Sequence, residues 1–145
     1  MAVGVDEFIR LIGAVIHDCG LLELYTNNVI QSLAKDPLRL RKMVALPFRE
    51  RIKKLRRLLH ERKSLPREDV DALCDELSKI AERRNDVAHN PIVSDDQSSY
   101  ILVVRYKFDP PKIEKITEAG LRSLLKRLTE AEEKFAELLP ETIEL

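Results

Sequence analysis

Apolar residues recur along this chain with two different periods. Val5, Phe8, Ile9, Ile12, Val15 and Ile16 fall three or four residues apart, and Leu21, Leu24, Tyr25, Val29, Ile30 and Leu33 extend the pattern to residue 34. That spacing marks one face of an α-helix, so the segment predicts one long helix or two consecutive ones, with Gly20 as a break or kink. A short helical piece follows over residues 38–46. After Pro47, the positions Phe48, Ile52, Leu55 and Leu59 trace the i, i+4, i+7, i+11 stripe of a helix that is apolar inside and basic outside. Ser64 is placed to cap the next helix, with Pro66 in its first turn and Glu68 and Asp69 near the positive end of its dipole. Its inward face is Val70, Leu73, Cys74, Leu77, Ile80 and Ala81, and it should end near Ala88. The period then changes. Residues 100–108 are β-branched and aromatic, Asp109-Pro110-Pro111 interrupts them, and KIEKI alternates, which predicts a β-hairpin. Thr117 and Glu118 open a last helix striped by Leu121, Leu124, Leu125, Leu128, Phe135, Leu138 and Leu139, ending near Pro140. The expected architecture is mainly α: one domain over residues 1–145, a bundle of four to five main helices with a short hairpin before the last.

Composition agrees with this reading. Of 145 residues, 34% are charged and 5% aromatic, there is no Trp, and Gly occurs four times, a mixture that suits helices because long straight side chains keep their rotamer freedom there. A chain of this length buries about two thirds of its unfolded surface, enough for a single core. Cys19 and Cys74 are the only cysteines and have no C-x-x-C spacing, so neither a disulfide framework nor a zinc site is expected; a reducing cytoplasm is. The start MAVGVDEFIR lacks the basic head and apolar run of a signal peptide, and no window reaches the ~18 apolar residues of a membrane span, so a soluble protein is expected. Net charge is zero, yet residues 39–67 carry twelve Lys and Arg against Glu50 and Glu61 alone, a net +10.

One stretch contradicts its surroundings. Seven residues beyond Leu77, the apolar face of the fourth helix reaches Arg84; Asn85 lies four beyond Ala81, and His89 four beyond Asn85. Three polar groups thus extend a greasy stripe. An inward charge costs several kcal/mol unless it is paired or opens onto a wet cleft, so a partner or a cleft is expected. Arg84 and His89 stand about 140° apart on a regular helix. Pro91, by disfavouring helix at Asn90, should place His89 in the last turn or just past it, where the chain can bring the imidazole toward Arg84. The helix C-terminus and nearby Asp86 favour an imidazolium titrating near neutral pH, a candidate general acid/base.

The sequence RNDVAH, Arg84 to His89, resembles the arginine–four residues–histidine motif of the HEPN superfamily, whose members frequently carry Asn directly after the Arg. The resemblance implies a small HEPN-like helical bundle with the motif near the end of a long helix and a further helix after it. It implies metal-independent RNA cleavage at a homodimer cleft, often in toxin–antitoxin or defence systems, with an antitoxin protein as a further partner. Arg84 would then neutralise the scissile phosphate, Asn85 would orient it, and His89 would take the proton of the ribose 2′-hydroxyl. No cofactor and no metal are implied. The hairpin departs from the minimal bundle.

Each feature also has a plainer explanation. Arg84 and Asn85 can form a buried ion pair that sets bundle register, and His89 can cap helix carbonyls. Together they would make a noncatalytic interaction or RNA-binding module. The basic helix can be a solvated face; as an RNA-binding surface its candidates are Arg49, Lys53, Lys54, Arg56 and Arg57, with backbone attraction rather than base stacking, since only Phe48 is aromatic there. His17 and His60 read as ordinary surface residues without ligand spacing.

Overall fold

A computed structural model of the chain describes residues 4–34, 36–94, 99–106, 110 and 112–139. The elements run α1 (Val5–Leu33), α2 (Pro37–Val44), α3 (Phe48–His60), α4 (Arg67–His89), β1 (Ile92–Ser94), β2 (Tyr100–Tyr106), β3 (Lys112–Ile116) and α5 (Glu118–Leu138). Residues 107–108 of the expected strand, Asp109, Pro111 and Pro140 lie outside the described residues.

α1 packs against α3, α4 and α5 and is the axis of the bundle. It does not break at Gly20. A glycine inside a helix costs only about 1 kcal/mol, while Leu11, Val15, Cys19, Leu22, Thr26 and Val29 bury one unbroken stripe, with Thr26 Oγ1 donating back to Leu22 O at 2.8 Å. The stripe is rotated from the expected face: Val5, Ile9, Ile16 and Leu24 remain exposed. On α4 the predicted inward residues Val70, Leu73, Cys74, Leu77, Ile80 and Ala81 are all buried, and Val87 continues the stripe. Ser64 is not the cap of this helix. α4 begins at Arg67 with Pro66 at its N-cap and no capping side chain. Thr117 does cap α5, its side chain accepting from Gly120 N at 3.2 Å.

The strands form an antiparallel sheet of order β1-β2-β3, with Ile92 opposite Leu102 and Leu102 opposite Ile116. The hairpin β2–β3 was expected; β1 was not. Leu102, Val104 and Ile116 join the helical core, and the Tyr100 ring lies 6.4 Å from that of Phe8. The sheet also meets the end of α4 through polar groups. Arg83 bonds Glu114, and the Tyr106 hydroxyl reaches Glu114 at 2.9 Å and Asp86 at 3.2 Å. Asn90 Nδ2 donates to Asp86 O at 2.6 Å, closing the helix as Asn90 turns extended into Pro91 and β1. No helix among the described residues is long and apolar enough to cross a membrane.

Candidate active site at the end of the fourth helix

Arg84 sits where the buried stripe of α4 passes from Ala81 to Val87, and the structure leaves it half-buried. It opens onto a groove of about 280 Å³ to which α1 contributes Glu23, the α2–α3 turn Pro47, and α3 Phe48, Arg49 and Arg51. α4 adds Ala81, Arg84 and Asn85. Arg84 Nη1 donates to Asn85 Oδ1 at 3.3 Å, a long bond from a half-buried donor to an exposed residue. Among the described residues Arg84 has no ion pair. Asn85, expected on the core side, is exposed, since its side chain lies on the rim of the groove.

The sealed guanidinium of this region belongs to Arg51. Its side chain is 10% exposed; Nη2 donates to Glu23 Oε2 at 3.0 Å, Nη1 to Asn27 Oδ1 at 2.8 Å and Nε to Leu46 O at 2.9 Å, with the group 5.5 Å above the Phe48 ring. Each of its three nitrogens donates one hydrogen bond, so it closes the groove floor and ties α3 to α1. The sequence carried a signal for this, because Arg51 lies three beyond Phe48 and four before Leu55, on the apolar stripe. Cys19 lies under the same region. Burial pushes its thiol up to about 12, against the opposing pull of the Arg84 charge, so it is a packed apolar group rather than a nucleophile.

His89 is the last residue of α4 and is exposed, without a hydrogen bond or ion pair among the described residues. The helix stays regular through it, so the break at Asn90 comes one residue too late to swing the imidazole toward Arg84, and His89 does not line the groove. Nor is Asp86 its neighbour in charge: that carboxylate faces Arg83 and Tyr106. One chain therefore brings Arg84 and Asn85 together and presents His89 on another side of the same helix end.

Part of the basic segment is paired with carboxylates, on α4 and within α3 itself. Arg56 bonds Asp71 at 2.9 Å and Asp75 at 2.5 Å, Lys53 bonds Glu50, and Arg49 meets Glu82 at 3.4 Å. Lys54 and Arg57 make no ion pair among the described residues. His60 departs from the surface role expected of it: only 19% exposed, it lies 2.8 Å from Asp71 and shares that carboxylate with Arg56. No group of three or more His, Cys, Asp or Glu among the described residues could hold a metal ion. No known protein family, curated protein or solved structure matches the chain. What the groove does has to follow from its own side chains.

Proposed function

We propose that this protein is a HEPN-type endoribonuclease that cleaves RNA at a cleft between two copies of the chain, using Arg84, Asn85 and His89. The observation that supports this most is Arg84: a guanidinium on a core stripe, half-buried, open to a groove and holding no carboxylate among the described residues. Folding alone has no use for such a charge, whereas a phosphate has. Cleavage needs a proton acceptor, a proton donor and positive charge on the phosphate. His89 takes the 2′-hydroxyl proton, the 2′-oxygen attacks the phosphorus, and the bond to the 5′-oxygen breaks as that oxygen takes a proton from solvent water, giving a cyclic phosphate and a 5′-hydroxyl. Arg84 stabilises the charge on the phosphoryl oxygens, and Asn85 holds both the guanidinium and the phosphate in place. A toxin of a toxin–antitoxin or defence system is the setting this chemistry fits.

A second reading has its own support. His89 lies outside the groove of its own chain, as it would in a noncatalytic interaction or RNA-binding module built on the same bundle. Incubating single-stranded RNA with the purified protein in EDTA separates the two. Cleavage is expected from wild type and a loss of at least about 100-fold from His89→Ala and from Arg84→Ala. Intact RNA with wild type, or equal cleavage by the variants, removes the enzymatic reading.

A further inference from the structure

The groove in front of Arg84 is lined by three guanidiniums and one carboxylate, and that carboxylate, Glu23, is already taken by Arg51. Among the described residues, Arg49, whose only ion pair is the exposed one with Glu82 outside the lining, and Arg84, which has none, line one small polar space. Like charges converging on a cavity repel unless an anion lies between them. We infer that Arg49 is a second phosphate ligand of the site: it leaves Glu82 and, with Arg84, clamps the backbone of a bound RNA strand. The ligand's identity rests on the ribonuclease proposal; the placement of Arg49 does not.

The surrounding contacts decide which basic residue has this role. Arg51 is immobilised by three hydrogen bonds, and Arg56 by two aspartates on α4. Arg49 alone among the α3 bases both lines the groove and is loosely held. Its partner Glu82 stands at 3.4 Å, and both side chains are 60% exposed. An exposed pair of this kind is worth little, while a guanidinium gripping a phosphate makes short, charge-assisted and often bidentate bonds. Exchange of Glu82 for phosphate is therefore favourable. Glu82 becomes a competitor that lowers affinity for any anion in the groove.

The test is binding of a single-stranded oligonucleotide carrying 2′-O-methyl groups throughout, which offers the backbone but cannot be cleaved. Relative to wild type, Arg49→Ala should weaken binding about 5- to 10-fold and reduce the slope of log affinity against log salt by about 0.7. Arg49→Lys should recover part of the affinity, and Glu82→Gln should tighten binding. Lys126→Ala, which removes one exposed charge from α5, controls for net charge, and a urea melt confirms that each variant is folded. Arg49→Ala binding like Lys126→Ala, or wild type that binds no oligonucleotide, overturns the inference. Wild type that binds through Arg49 yet never cuts RNA sustains it while removing the catalytic reading. Cleavage that depends on Arg84 but not on Arg49 does the reverse.

Discussion

Arg51 and Arg84 share a groove but answer to different forces. Arg51 trades water for three protein acceptors, so removing it strands Glu23, Asn27 and the Leu46 carbonyl. Breaking one side of such a buried pair costs about 3 kcal/mol, and Arg51→Ala should lower stability by that much in urea denaturation. Arg84→Ala removes one long bond to Asn85 and should cost under about 1 kcal/mol. Equal losses from the two would make Arg84 a structural brace instead. The sequence places a polar residue on each of two apolar stripes, and nothing in its letters says which one is sealed. That depends on Glu23 and Asn27, which lie 28 and 24 residues before Arg51 and come opposite it only when α1 runs straight through Gly20. The cysteines give a second check on the core. Burial pushes both the Cys19 and the Cys74 thiols up to about 12, so at pH 8 iodoacetamide should label neither until denaturant is added. Rapid labelling of the native protein would show the bundle to be open there.

Among the elements, the end of α4 is the one whose geometry matters most to the candidate site. Its last turn is fixed to the sheet by Arg83, Asp86, Tyr106 and Glu114. The hairpin, a departure from a minimal helical bundle, thus holds the turn that presents His89. The hydrogen bond from Arg83 is the main reason that the Glu114 carboxyl lies below its usual value of 4.5. Because the fold favours the ionised form, this contribution is complete above pH 4.5 and disappears as the pH falls through the lower, folded-state value. Wild type should therefore lose urea stability more steeply than Glu114→Gln as the pH falls from 5 to 3, starting from a higher midpoint at pH 7. Parallel profiles would mean that the bridge contributes nothing in solution. Periodicity predicts β2, β3 and the five helices, since each is long enough to show a period. It misses β1, whose three residues Ile92, Val93 and Ser94 show none, and which is a strand because β2 offers it a free edge. Pro91 does put His89 in the last turn, one of the two placements expected for it, but its restriction acts on Asn90 and leaves His89 helical, so the imidazole does not swing toward Arg84.

For the whole molecule, the separation of Arg84 from His89 becomes an argument about copy number. About 140° apart on one straight helix, they would serve a single phosphate poorly within one chain. A two-fold axis can set the His89 of one copy against the Arg84–Asn85 groove of the other, and the same operation builds the second site. This arrangement predicts complementation. Arg84→Ala and His89→Ala homodimers should each be inactive. A mixed dimer pairs the intact His89 of the first with the intact Arg84 of the second and leaves the opposite site doubly defective. With random exchange half the dimers are mixed and each carries one working site, so RNA cleavage should recover to about a quarter of the wild-type rate. Recovery should rise with time as subunits exchange and stop when the copies are crosslinked beforehand. A mixture as inactive as its parents, or a solution mass equal to one chain under conditions where RNA is cut, would require each chain to complete its own site, and His89 would then have to leave the position α4 gives it.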